Sequence, residues 1–413
     1  MRRVVVTGIG FITSLGFEEA DICAGLKEGL RKTVYSKPYE EHHFECRVWA
    51  PITAPLPGLN VKQMKYMGKG MTLLYGYLAA QRAVANAGLT LEDLHSPRVG
   101  AFLGTGGPST EDQCDGYDTA KKEGPKKLTR IVPPTMSSGL AAKVATDFGI
   151  LGKSYEITAA CSTSALCIGE AAEKIAYGKQ DIMLAGGSED CHPSKACGFD
   201  GMMALVRGFN DRPEEASRPF DADHAGFVDG AGGVVLVLEE LEHARARGAR
   251  IRAEIVGFGN TSDGYDMTVP SGRGAIDCMK LALEGFDGQG VGRIDHVLAH
   301  GTSTPTGDLP EAKAIAEVFG DDVPWVTAPK GNVGHTLGAA GALAVGFGIL
   351  SMEGRFVPKC VNIDRIHPDI EALGLVAKRI VRETMDVPVN AFMANAFGFG
   401  GTNASLVVRR YDG

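Results

Sequence analysis

The feature that most limits what this chain can fold into is a weak internal duplication. Arg3-Val-Val-Val-Thr-Gly-Ile-Gly10 is echoed by Ala253-Glu-Ile-Val-Gly-Phe-Gly259, and Val99-Gly-Ala-Phe-Leu-Gly104 by His296-Val-Leu-Ala-His-Gly301. The run ahead of Cys161 is echoed by Trp325-Val-Thr-Ala-Pro-Lys330, and a helix of small residues follows each, 164–177 and 336–352. Val4 to Val6, Val99 to Leu103, Ser154 to Thr158 and Ile182 to Ala185 read as buried strands, and Met71 to Gly88 as a helix. Strands alternating with helices predict an α/β architecture. Three echoes in the same order predict a duplicated unit, with halves 1–248 and 249–413 joined in the charged stretch Glu239 to Arg252. At 413 residues the chain exceeds the roughly 250–300 residues at which one core stops growing.

Composition narrows the function classes. Apolar residues make up 44% and charged residues 22%, as in ordinary soluble globular proteins. A net charge of -8 argues against a global nucleic-acid field. Nine cysteines, an odd number in a long chain, read as mostly reduced and buried thiols, which predicts a cytoplasmic protein. The start, Met1-Arg-Arg-Val-Val-Val, reads as a buried first strand, and no stretch is expected to approach the ~20 apolar residues of a membrane span. Gly8-Ile-Gly10 lacks the third glycine of a dinucleotide fingerprint, and neither a phosphate-binding loop nor a G-x-S-x-G elbow is present. Cys191, His192 and Cys197 lack the second ligand pair of a zinc site, so no metal is expected.

Four groups carry the chemistry. Cys161 ends an apolar run and precedes a helix, where unpaired N–H groups and the helix dipole are expected to favour its thiolate. A small buried core thiol, as expected for Cys23, Cys167, Cys278 and Cys360, is the competing reading. His300 ends a strand at His300-Gly-Thr-Ser-Thr-Pro-Thr-Gly-Asp308, and His335 lies in Lys330-Gly-Asn-Val-Gly-His335. Two neutral imidazoles converging on one carbonyl oxygen would stabilise an enolate. Thr302 and Thr304 offer hydroxyls to an extended ligand arm, and Lys330 in its apolar context needs a counter-charge, for which Glu311 is the candidate. Phe397-Gly-Phe-Gly-Gly-Thr-Asn403 gives Phe399 a mobile, glycine-flanked setting.

These residues resemble a known family, the β-ketoacyl-acyl-carrier-protein synthases. The resemblance rests on Thr158-Ala-Ala-Cys-Ser-Thr-Ser164, Ser217-Arg-Pro-Phe-Asp-Ala-Asp223, Gly226-Phe-Val, His300 to Asp308, Gly334-His-Thr-Leu-Gly-Ala-Ala-Gly341 and Asn395 to Asn403, in order along almost the whole chain. It implies the thiolase fold, two similar α/β halves in five αβαβα layers. It also implies decarboxylative Claisen condensation of an acyl group on Cys161 with malonyl-carrier-protein. His300 and His335 would hold the malonyl thioester oxygen, and the N–H groups of Cys161 and Phe399 the tetrahedral oxyanion. Lys330 with Glu311 would order the histidines, Thr302 and Thr304 would contact phosphopantetheine, and Phe399 with Phe397 would border the acyl site. No resident cofactor is implied, because the carrier supplies the phosphopantetheine.

An acidic carrier would need basic contacts, for which Lys62, Lys65, Lys69, Lys126, Lys127 and Arg130 are candidates. Gly107 falls where the family places a pocket-lining side chain, and glycine there resembles the synthase I type, as does Ala231-Gly-Gly. Lys330-Gly-Asn-Val departs from the usual Lys-Ser or Lys-Ala. A homodimer, or a heterodimer with a homologous subunit, is implied. A coenzyme A-dependent thiolase and a non-catalytic accessory partner of another synthase are the alternatives.

Overall fold

All 413 residues are described in a computed structural model. Ten strands carry the architecture: β1 (Val4–Thr13), β2 (Val99–Gly104), β3 (Ser154–Tyr155), β4 (Ile182–Glu189), β5 (Gly232–Glu240), β6 (Ala253–Ser262), β7 (His296–Leu298), β8 (Trp325–Thr327), β9 (Ala391–Gly398) and β10 (Thr402–Arg409). They hydrogen-bond in the order β8-β7-β9-β10-β6-β1-β5-β4-β2-β3. Cut between β6 and β1, the two sets are the same. Each reads third, second, fourth, fifth, first by position within its half. In each, the third, second and fourth strands run parallel, and the fifth is antiparallel to both neighbours. The halves meet where Val4 to Val6 pair antiparallel with Ala253 to Ile255. The connection between them, from Glu240 to Ala253, includes the helix Leu241–Ala246.

Six helices complete the layers: α1 (Met71–Asn86), α2 (Gly139–Phe148), α3 (Thr163–Ala176), α4 (Arg273–Glu284), α5 (Asp308–Phe319) and α6 (Ala340–Gly354). Alternate strand residues fall on opposite faces. One face of each half, including Val234 and Leu236 of β5 and Leu406 and Val408 of β10, packs on α3 and α6 in a shared central core. The other face of the first half, with Val235 and Val237, packs under α1 and α2. The other face of the second half, with Met393 and Val407, packs under α4 and α5. The stack is therefore α-β-α-β-α. Strands covered on both faces are apolar along their whole length, which explains the continuous runs in the sequence.

One expectation is corrected. Residues Leu337–Gly354 form an 18-residue stretch of mean hydropathy 1.4, long and apolar enough to cross a membrane by length and composition. Here 89% of that stretch is buried within the protein, as the middle helical layer of the fold. Its side chains are apolar all round because sheets cover it on both sides.

Candidate active site

Cys161 lies between β3 and α3. The turn that delivers it holds Ala160 at φ +48°, a left-handed conformation that L residues with side chains adopt at a cost. Gly398 closes on this turn. A Cβ there would stand 2.9 Å from the Ala159 carbonyl oxygen and 3.1 Å from the Cys161 nitrogen. Glycine lets the end of β9 approach, and this brings the Phe399 N–H against the Cys161 sulfur. Burial pushes the thiol up to about 11. The Lys330 charge and the N–H groups of Phe399 and Cys161 pull the other way, while the Glu189 charge adds to the rise. The N–H groups at the helix start favour the thiolate, as expected, but loss of hydration outweighs them and the resting group is a thiol.

The two histidines come from the other half. His300 follows β7, and His335 follows β8 by way of the short helix Lys330–Val333. Their rings stand 5.3 Å apart at 84°. Both are buried. Burial first, and the Lys330 charge second, hold both imidazoles well below the usual histidine range; His335 lowers His300 further. Both are neutral at physiological pH.

Their neighbours set the tautomers. The Leu337 N–H donates to His335 Nδ1 at 3.2 Å, and the Lys330 ammonium donates to His300 Nδ1 at 3.2 Å. With each Nδ1 accepting, each Nε2 carries the proton. Cys161 Sγ and one nitrogen of each ring lie within 4.8 Å of one another, a spacing a metal could bridge. Ligation through Nε2 would need Nδ1–H facing an acceptor. Both Nδ1 atoms face donors, so the pair is built to donate to an oxygen.

Lys330 and Glu311 both act on His300, but not as the expected direct ion pair, which is a correction: no contact within 4.0 Å joins them. Glu311 accepts the backbone N–H groups of His300 and Gly301, each at 2.8 Å, and the Asn395 amide at 3.3 Å. The Lys330 ammonium also donates to the His300 carbonyl oxygen. Burial pulls Lys330 down to about 8 against the attraction of Glu311. Burial likewise raises Glu311, against its N–H donors and Lys330. The carboxylate spends its acceptors on the strand end that aims His300, so the two charges meet through that residue.

Cys161, His300, Thr302, Thr304, Glu311, His335, Phe397 and Phe399 line a single cavity of about 420 Å³. The Thr302 and Thr304 hydroxyls are 2.8 Å apart on one wall. Phe397 stands 5.9 Å from the His300 ring, and Phe399 is 38% exposed at the mouth. Three contributors were not singled out from the sequence, although Phe227 and Leu337 lie within motifs quoted above: Phe199, 6.4 Å from the Phe399 ring; Phe227, edge-on to His335 at 5.3 Å; and the Leu337 N–H. Gly107 does not line this cavity, and a Cβ built on it would meet open space. Lys62, Lys65, Lys69, Lys126, Lys127 and Arg130 are all exposed and lie off the cavity wall, and Lys69 is paired with Asp115.

Two family models match the chain: "Beta-ketoacyl synthase, N-terminal domain" over residues 1–244 and "Beta-ketoacyl synthase, C-terminal domain" over residues 252–364. The chain is 44% identical over 416 residues to 3-oxoacyl-[acyl-carrier-protein] synthase 1 of Escherichia coli (strain K12), covering 99% of both. A beta-ketoacyl synthase from Burkholderia phymatum STM815 superposes with a TM-score of 0.92 at 35% identity, covering 100% of both chains. A chain of a type II PKS acyl-carrier protein in complex with its ketosynthase bound to the hexaketide gives 0.85 at 26% identity, again covering 100% of both. With its five layers and a Cys-His-His cavity between matching halves, the chain has the thiolase fold and belongs to the beta-ketoacyl synthase family.

Proposed function

We propose that this chain is a 3-oxoacyl-acyl-carrier-protein synthase, which condenses an acyl group held on Cys161 with malonyl-carrier-protein in fatty-acid or related polyketide elongation. The observation that carries this reading is the pair of neutral imidazoles, each with an accepting Nδ1 and so a proton on Nε2, with one nitrogen of each ring and the Cys161 sulfur within 4.8 Å of one another. The 44% identity to a 3-oxoacyl-[acyl-carrier-protein] synthase supports the same reaction.

The chemistry follows from the donors. Cys161 sulfur attacks the acyl thioester, its proton ends on the departing carrier thiol, and the acyl group becomes a thioester on the enzyme. Malonyl thioester then places its carbonyl oxygen between His300 Nε2–H and His335 Nε2–H. Carbon dioxide leaves, and the electron pair it leaves behind forms an enolate on that oxygen. The enolate carbon attacks the acyl carbonyl, whose oxygen takes charge beside the N–H groups of Cys161 and Phe399. Collapse forms the 3-oxoacyl product and expels Cys161 as a thiolate, which takes a proton from solvent to become a thiol again. Lys330 and Glu311 hold His300 in place throughout.

Thr302 and Thr304 are suited to the phosphopantetheine arm, which the carrier brings, so the enzyme needs no cofactor of its own. Phe399 gates the mouth and Phe397 forms a wall. Lys62, Lys65, Lys69, Lys126, Lys127 and Arg130 offer the carrier a basic surface, and the polyketide relative is named in complex with its carrier. We place the enzyme in the cytoplasm as a homodimer. β3 is an outer edge of the sheet with Leu151 and Tyr155 exposed beside it, and a second copy would cover that edge. To test the reaction, acyl- and malonyl-carrier-protein are supplied together and Cys161 acylation, carbon dioxide and 3-oxoacyl product are measured. Absence of the Cys161 adduct sinks the proposal; product from acetyl-coenzyme A without decarboxylation identifies a thiolase.

A further inference from the structure

Glu189 ends β4 with its side chain fully buried, and the condensation as derived makes no use of it. One of its oxygens, Oε2, accepts two backbone N–H groups from different halves of the chain. Gly106, just after β2, donates at 2.6 Å, and Gly338, three residues after His335, donates at 3.1 Å. The other oxygen accepts the Lys195 ammonium, which also donates to Asp190 at 2.8 Å. The packing leaves no room for side chains at the two glycines. A Cβ on Gly106 would stand 2.4 Å from Glu189 Oε2, and one on Gly338 would stand 2.3 Å from the Gly106 nitrogen.

What this clamp holds is the turn that sets the His335 tautomer. Leu337 has φ +40°, an unfavourable value for a branched side chain, and its N–H is the donor to His335 Nδ1. The next peptide begins with the Gly338 N–H that Glu189 grips. Released, Leu337 would relax toward an ordinary φ and its N–H would swing away from the ring. Nothing else among the hydrogen bonds to His335 distinguishes its two nitrogens. A charged acceptor holds two buried N–H groups better than a neutral one, and Lys195 compensates its burial. Burial pulls Lys195 down, but Glu189 and Asp190 more than offset this and keep it an ammonium; burial raises the Glu189 carboxyl, and the Lys195 charge and the Gly106 N–H pull it back.

We propose that Glu189, with Lys195 as its counter-charge, is a positioning residue that keeps His335 in the Nε2–H tautomer by clamping the Leu337–Gly338 peptide. This rests on the proposed condensation only for its kinetic consequence; the ring state is a property of the protein alone.

The test uses the full chain with 15N-labelled histidine. In the wild type the His335 ring is a single tautomer with an accepting Nδ1. Glu189→Ala makes it a tautomer mixture, and kcat for malonyl-carrier-protein decarboxylation falls about 10–100-fold, the scale seen when a group that fixes the tautomer of a metal-bound imidazole is lost. The rate of Cys161 acylation stays within about threefold, because acylation does not use the His335 proton. Glu189→Gln, which keeps an oxygen for both N–H groups, recovers most of the tautomer purity and rate. Gly106→Ala is a second route, since its Cβ displaces the carboxylate without deleting it, and it produces the same mixture should Glu189→Ala not fold. A His335 spectrum unchanged in the folded variants overturns the proposal, as does a parallel loss of acylation and decarboxylation. If the wild type itself releases no carbon dioxide, the functional reading fails while the spectrum still decides the positioning role.

Discussion

Replacing His335 with alanine removes one of two N–H donors from the oxygen on which charge develops. Loss of one such donor from a preorganised site lowers the rate about 100–1000-fold, or about 3–4 kcal/mol. His335 is 3% exposed, so water does not readily take its place, and the upper part of that range applies. The substitution also strands the Leu337 N–H, which now donates to Nδ1 at 3.2 Å. An unsatisfied buried donor costs about 1–3 kcal/mol of stability. Two half-reactions separate these effects. Acylation of Cys161, followed by mass spectrometry, uses the N–H groups of Cys161 and Phe399 and should stay within about threefold of wild type. Carbon dioxide release from malonyl-carrier-protein should drop by the full factor. Because His300 serves the same oxygen, the double alanine variant should lose far less than the product of the two single losses. If His335→Ala lowers both half-reactions equally, or leaves decarboxylation intact, the assignment of the imidazole as an enolate donor is wrong.

Two further outcomes follow from burial. With the Cys161 thiol pushed up to about 11, alkylation by iodoacetamide should accelerate about tenfold per pH unit from pH 7 to 10, and a plateau near pH 8 would contradict a neutral resting thiol. Burial also holds His296 down to about 3, with Nε2 bonded to Thr327 at 2.7 Å and Nδ1 without a partner. Its folded pKa is depressed, so the unfolded chain alone takes up this proton as pH falls below about 6.5; the associated stability is complete above that value and is lost on the way down to about 3. Urea midpoints between pH 4 and 7 should therefore vary less in His296→Leu than in wild type, and an unchanged slope would refute the linkage.

Residues next to a strand end and a glycine turn were legible as chemistry: Cys161, His300 and His335 fall at such junctions and share one cavity. The echoes gave the duplication, because corresponding strands are buried alike and keep similar residues. Strand order was not legible, since the pairing of β2 with β4 and of β7 with β9 joins segments far apart in the chain. Lys330 and Glu311 read as partners by charge alone, but charge does not show that a carboxylate will spend its oxygens on backbone N–H groups. Glu189 looked like any acidic residue after an apolar run. Its role depends on the φ of Leu337 and on two glycine N–H groups 232 residues apart, from 106 to 338, and no periodicity records either.

The matching topology also explains why one cavity can collect these groups. In both halves the second, third and fourth strands run parallel, so their C-terminal ends point the same way, and that is where α/β sheets place ligands. The first half supplies Gly106 after its second strand, Cys161 after its third and Glu189 at the end of its fourth. The second half supplies His300, then Lys330 and His335, then Phe397 and Phe399 at the same three ends. The two halves thus carry different groups at equivalent strand ends, and of these Cys161, His300, His335, Phe397 and Phe399 line the cavity. The nucleophile sits on one half and the enolate donors on the other, so neither half holds the reaction alone. A group that grips both halves, as Glu189 does through Gly106 and Gly338, then holds the turn that carries one enolate donor against the half that carries the nucleophile.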